Sequence, residues 1–117
     1  MKKVLMLGAV AATVLTLTRC NPAQKVTTVP APKTTYETGL QAVVMANCSP
    51  CHIPANGGRK RAYDNYANVK ADIDDIIRRI EMNPTERGFM PFRKAEKLSD
   101  SVINVFKQWK ADGLLEK

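Results

Sequence analysis

Two thiols one turn apart with an imidazole directly after them, Cys48-Ser49-Pro50-Cys51-His52, are the residues of this 117-residue chain whose types and spacing can do chemistry. Sulfurs at i and i+3 lie on one side of a turn of chain, so both can reach the two vinyl groups along one edge of a haem. The histidine that follows then points beneath the ring toward iron. The pattern C-x-x-C-H reads as a covalent haem attachment site of the c type. An imidazole nitrogen suits the proximal position on haem iron, and two thioether bonds would keep the macrocycle from dissociating. Pro50 restricts φ inside the loop and limits the conformations the chain gives up. Two other uses of the same residues compete. A thiol–disulfide centre usually heads a helix that follows a strand, and no strand pattern precedes Cys48. A structural zinc ion needs four ligands, and here two adjacent cysteines and one histidine have no second cluster to complete them.

His52 is the only histidine in the chain, so a second axial ligand has to be another residue type. Methionine is the natural candidate, because a neutral thioether favours ferrous iron and raises the potential. Met1 and Met6 belong to the leader described below, and Met45 precedes Cys48 on the attachment side of the ring. That leaves Met82 and Met90. Met90 lies in Gly88-Phe89-Met90-Pro91-Phe92, where Gly88 permits unusual backbone and Pro91 stiffens the exit, so the loop can lower a side chain onto a haem face. Met82 ends an apolar helical stripe, where filling a gap is the commoner methionine role. An open or water-bound sixth position is the remaining alternative.

Three helices are predicted to hold these residues. Tyr36, Leu40, Val43, Val44 and Asn47 follow one helical face, with Thr34 or Thr35 as the cap, and the helix leads directly into Cys48. Ile53-Pro54 and Asn56-Gly57-Gly58 after the motif carry strong turn chemistry. Val69, Ile73, Ile76, Ile77 and Ile80 form a second stripe, with Asp72, Asp74 and Asp75 expected early and Arg78 and Arg79 late, which complements the helix dipole. Asn83-Pro84 should end it. Ser99 is the expected cap of a third helix, with Leu98 stapling against Ile103. Its inner side would carry Val102, Ile103, Val105, Phe106 and Trp109, and Gly113 would terminate it. No internal repeat and no strand pattern is found, so the expected class is all-α.

Ahead of these helices, Met1-Lys2-Lys3 and the apolar run over residues 4–17 have the basic and apolar regions of a secretory signal, too short to span a bilayer comfortably. Leu17-Thr18-Arg19-Cys20 resembles the lipobox of bacterial lipoproteins, in which the cysteine is lipidated; Arg19 stands where a small residue is usual. The composition then shifts to Pro, Thr, Ala and Lys, with Pro22, Pro30 and Pro32, which marks a linker. Extended at about 3.1 Å per residue it would reach on the order of 45 Å. The expected division is a signal peptide over residues 1–19, a lipid-anchored Pro/Thr-rich linker over 20–35 and one domain over 36–117. Lys2, Lys3 and Arg19 are three of the 18 basic residues, and the remaining 15 stand against 11 acidic ones. The chain beyond the leader is therefore mildly basic. No interleaving of aromatic and basic residues suggests nucleic acid.

From Tyr36 to Leu115 the chain resembles a small monohaem class I cytochrome c. The resemblance is carried by the helix before Cys48-Ser49-Pro50-Cys51-His52, the Gly57-Gly58 turn, Met90-Pro91, and the last helix ending in Lys107-Gln108-Trp109-Lys110-Ala111-Asp112-Gly113. It implies a cytochrome c-like fold, three main helices and loops wrapped around one covalent haem c. It further implies an electron carrier rather than an enzyme, ligated by His52 and Met90, with haem attached after export. A carbonyl beyond the motif, with Pro54 as the candidate, would accept a hydrogen bond from the ligating imidazole. The first and last helices would cross at a small residue, Gly39 against Phe106 or Trp109. Arg59, Lys60, Arg61 and Tyr66 are candidates to serve the propionates. The implied setting is a monomer at the periplasmic face of a membrane, held through Cys20 and meeting donor and acceptor redox proteins. Two other readings stay beside it: a haem-based gas sensor or peroxidase with an open sixth position, and a subunit of a larger redox complex.

Overall fold

Thr35 opens the first helical turn. In the computed structural model, which describes residues 30–117, its hydroxyl accepts the Thr38 N–H at 3.2 Å and its carbonyl receives the N–H groups of both Gly39 and Leu40. The five-residue reach from Leu40 to Thr35 makes the opening turn, Tyr36–Leu40, π-helical, and it runs without a break into α1, Gln41–Asn47. The single first helix expected from the apolar spacing is thus built in two parts. Tyr36, Leu40 and Val44 face inward as the spacing predicts. The expected signal peptide, Cys20 and the expected linker up to residue 29 lie outside the described residues.

Helix α2, Tyr66–Glu81, begins earlier than its apolar stripe, because the Asn65 side chain accepts the Asn68 N–H at 3.0 Å and caps it there. The early start places Asp72, Asp74 and Asp75 in the middle of the helix, and its first turn carries no acid. Only the basic half of the expected dipole pattern is present, at Arg78 and Arg79. Val69, Ile73, Ile76 and Ile80 are buried at helical spacing. Met82 leaves in extended conformation ahead of Asn83-Pro84. Helix α3, Asp100–Ala111, is capped by the Ser99 hydroxyl, buries Ile103, Phe106 and Trp109, and ends at Gly113, whose φ of +100° suits a residue without Cβ.

These helices make a compact all-α domain. Among the described residues the sole strand-like feature is one parallel bridge between Thr35 and Leu115. There Leu115 offers its carbonyl to the Tyr36 N–H at 2.8 Å and to the indole N–H of Trp109 at 2.7 Å. Tyr36, Tyr66 and Trp109 meet as three tilted or edge-on rings with centroids 6.0–6.2 Å apart, an arrangement that aromatic quadrupoles favour. The first helical segment and α3 therefore meet through Tyr36 and Trp109. At Gly39 a Cβ would stand 2.8 Å from Thr34 Cγ2 and would meet no atom of Phe106 or Trp109 within 4 Å, so the space that glycine leaves there is taken by Thr34.

Candidate functional site

Helix α1 delivers the cysteines. Cys48 is its C-cap, with its N–H on the Val44 carbonyl at 2.8 Å, and the chain then turns tightly: His52 N–H reaches Cys48 O and Ile53 N–H reaches Pro50 O, each at 3.0 Å. Ile53 is completely buried, so the turn is fastened to the core by the residue after His52. Cys48 packs partly against that core while Cys51 is exposed; both are free thiols. Burial pushes the Cys48 thiol up to about 11.

The next residues fold back over this turn. Pro54–Asn56 form a 3₁₀ turn, Gly57 takes φ +81°, and Asn56 donates its side-chain amide to the Ser49 hydroxyl at 2.8 Å. At Gly58 a Cβ would lie 2.4 Å from Pro50 O, 2.7 Å from Cys51 O and 2.8 Å from Ile53 N. Only glycine lets the return segment lie that close. Lys60 N–H then reaches Cys51 O at 3.0 Å, and Tyr63 N–H reaches His52 O at 2.8 Å.

His52 is held from two sides. Its Nδ1 lies 2.7 Å from the Arg61 carbonyl. A carbonyl can only accept, so Nδ1 carries the proton, and Nε2 is the nitrogen with a lone pair for a metal when the ring is neutral. The ring of Tyr63 stacks on the imidazole at 4.4 Å between centroids and 8° between planes. The Tyr63 hydroxyl donates to Asp72 Oδ2 at 3.1 Å, and the same oxygen pairs with the Arg61 guanidinium. Burial first, and then the Asp72 carboxylate, push the Tyr63 phenol up to about 12.

Met90 is half-buried and packs against the hydrophobic core, where Met82 does not. Its loop is fastened to the end of α2: Met90 N–H donates to Arg79 O, and Arg79 Nη1 donates back to Gly88 O, both at 3.1 Å. Asp75 accepts from Arg79 Nε at 2.6 Å and so orients the guanidinium. Gly88 has φ +103°, and Phe89 is buried beside Met90. Met82 instead lies beside Gly88, its sulfur 3.7 Å from Arg78 Nη1.

Two expected site residues are placed differently. Pro54 does not serve His52; its carbonyl receives the Gly57 N–H at 2.9 Å, and Arg61, nine residues beyond the histidine, supplies the acceptor because the return segment passes beneath the ring. Tyr66 donates its hydroxyl to Leu114 O at 2.9 Å and receives Lys70 Nζ at 2.8 Å, so among the described residues its hydroxyl is engaged beyond the end of α3. The Arg61 side chain is likewise engaged, by Asp72. Arg59 and Lys60 are exposed, with no ion pair among the described residues. Sequence reasoning missed Tyr63 and Asp72 at His52, Arg79 at Met90, and the anchoring of the turn by Ile53. Only Ile53, an isoleucine set between polar and turn residues, carried a local signal.

Two open grooves of about 540 and 340 Å³ run along α3, lined in part by Asn104 and Lys107, and neither touches residues 48–52 or Met90. Among the described residues no three His, Cys, Asp or Glu side chains gather as a metal held by protein alone would need, and the zinc alternative gains nothing. The donors at residues 48–52 suit an iron porphyrin instead. They comprise two unpaired thiols one turn apart and an imidazole with its Nδ1 proton pinned to a carbonyl, beside a turn into which Gly58 admits no side chain. The chain has no significant match among protein-family models, curated proteins or solved structures.

Proposed function

We propose that the chain is a small one-electron carrier of the cytochrome c type, with a cytochrome c-like fold around one haem c. Thioethers from Cys48 and Cys51 would hold the haem, and His52 and Met90 would be its axial ligands. The observation that carries this reading is the hydrogen bond from His52 Nδ1–H to Arg61 O, which leaves Nε2 as a ligand directly after two free thiols. When bound, the haem supplies the one-electron couple at iron. The chain's residues would bind and orient it, and burial against the apolar core would disfavour charge at the iron.

The same reading places the protein outside the cytoplasm, at the periplasmic face of a membrane, exported by residues 1–19 and anchored through Cys20 as a lipoprotein. It acts as a monomer that meets separate donor and acceptor proteins and turns over no substrate. Phe92 is 64% exposed, with Arg93 stacked over its ring and Arg87, Lys94 and Lys97 nearby in sequence without ion pairs among the described residues. Such a surface beside the Met90 loop suits an acidic partner.

An absorption spectrum of the purified exported protein in both redox states tests the proposal. The expected result is a low-spin c-type haem with two thioether links and a long-wavelength Met–iron charge-transfer band. Met90→Ala should abolish that band and lower the potential, and Met82→Leu should leave both unchanged. Absence of covalent haem overturns the reading. Rapid, tight binding of carbon monoxide by the reduced protein at neutral pH replaces it with a sensor or peroxidase having an open sixth position.

A further inference from the structure

His52 is the one residue of the motif whose orientation carries chemistry, and the turn that bears it does not by itself fix a ring. Two rotations have to be restrained. The hydrogen bond to Arg61 O stops the ring from turning about its own axis, and the Tyr63 ring against its face stops it from tilting. Arg61 and Tyr63 both belong to an irregular return segment, and a segment of that kind moves unless something regular holds it. Asp72 supplies the hold. It lies in the middle of α2, its side chain is 25% exposed, and its single oxygen Oδ2 takes the Tyr63 hydroxyl and the Arg61 guanidinium together. The contacts close into a ring: imidazole to Arg61 carbonyl, Arg61 side chain to Asp72, Asp72 to the Tyr63 hydroxyl, and Tyr63 back onto the imidazole.

We propose that Asp72 and Tyr63 are positioning residues for His52, transmitting the rigidity of α2 to the imidazole and holding it in the Nδ1–H tautomer with Nε2 presented. Nothing at residues 48–52 would show this, because the carboxylate lies twenty residues beyond the histidine. The neighbouring acids have other work. Asp74 is paired with Lys110 of α3 and Asp75 with Arg78 and Arg79. The functional consequence, a ligand of fixed orientation and raised basicity, rests on the haem reading. The placement of the ring does not.

Because His52 is the only histidine in the chain, one side-chain signal reports it. The measurement is the solvent-exchange rate of the His52 Nδ1 proton by nitrogen-resolved NMR on the full chain as purified and reduced, a state in which a His/Met ferrous haem is diamagnetic. In the wild type the proton is expected to be protected. Asp72→Asn and Tyr63→Leu should speed its exchange by about tenfold, the change expected when a hydrogen bond loses about 1.4 kcal/mol of protection. Tyr63→Phe keeps the stack but loses the hydroxyl and should fall between. Asp74→Asn removes an equal charge from the same helix and should change nothing. Far-ultraviolet circular dichroism identifies any variant that has lost the fold, and Tyr63→Phe, which deletes one oxygen atom, keeps the test decisive if Asp72→Asn does not fold. Exchange within twofold of wild type in both folded Asp72→Asn and Tyr63→Phe overturns the proposal. Failure of the haem reading is seen separately, as missing haem absorption in the wild type, and the proton exchange is then read on the thiol form.

Discussion

The α-carbon of Gly58 lies so close to the carbonyl of Pro50 that a Cβ on it would stand 2.4 Å from that oxygen. Two further backbone atoms, Cys51 O and Ile53 N, crowd the same point at under 3 Å, and backbone cannot rotate aside as the tip of a flexible side chain can. Gly58→Ala must therefore lift the return segment off the cysteine turn. The expected cost is about 1–3 kcal/mol, the usual range for overpacking, measured as a fall in thermal midpoint. Gly57→Ala meets no atom within 4 Å and is disfavoured only by its φ of +81°, so it should cost less.

Arg79 joins α2 to the loop that carries Met90. Lysine retains the charge but cannot serve Asp75 and the Gly88 carbonyl with one planar fork. Arg79→Lys should cost only about 1 kcal/mol in global stability, since the pairs are partly exposed. On the haem proposal, its larger effect should be on the position that Met90 would occupy at iron. Exogenous imidazole titrated into the oxidised protein should bind several-fold more tightly than to wild type.

The last residues of the chain close the domain. Leu115 O satisfies the Tyr36 N–H and the indole N–H of Trp109, whose side chain is fully buried, and Leu114 O accepts the Tyr66 hydroxyl. Truncation after Gly113 would take the acceptors from these three donors and from the exposed Glu37 N–H, which water can satisfy, and each of the three would cost about 1–3 kcal/mol. A loss of at least about 3 kcal/mol lowers the melting temperature by roughly 12–24 °C in a domain of this size. Thermal denaturation of the truncated protein checks it.

Acid should weaken the fold through two carboxylates. Hydrogen bonds from Arg79 and then Arg78 hold the Asp75 carboxyl below its usual range, and the Thr34 backbone N–H followed by the Gln108 amide does the same for Asp112. A depressed folded-state pKa contributes stability that is complete above the unfolded value of about 3.9 and is lost as pH falls through the folded value. The melting temperature should accordingly hold between pH 7 and pH 5 and decline below about pH 4. In the Asp75→Asn, Asp112→Asn double variant that decline should be smaller, as melting curves at pH 7 and pH 3 would show.

Cys20 lies among the residues expected to anchor the protein. Cells fed a clickable fatty acid should label the wild type and leave Cys20→Ala unlabelled. No label on the wild type, or label surviving in the variant, removes the lipid anchor from the account.

Elements that depend on short-range physics were legible in the residues. Helical spacing located the inward faces of all three helices, hydroxyl caps pointed to Thr34 or Thr35 and to Ser99, and Gly113 marked the end of α3; the structure uses Thr35. Caps and periodicity act within one or two turns, so residue type carries them. For α2 the apolar stripe from Val69 showed the inward face but not the start, because Asn65, an equally local cap, lies a turn ahead of it.

The sequence alone determined the chemistry available: two thiols and an imidazole in a spacing that suits one cofactor, with Met90 set in a loop between apolar helices. Only the tertiary structure decided what holds those groups. The acceptor for His52 is the carbonyl of Arg61 rather than that of Pro54, and the Met90 loop is clasped through Gly88 O and Arg79 O. Every residue has a carbonyl, so residue type says nothing about which one a fold will use. Tyr63 and Asp72 do have distinctive side chains, but their meeting depends on where a return loop crosses a helix, a distance set by packing and written in no local pattern.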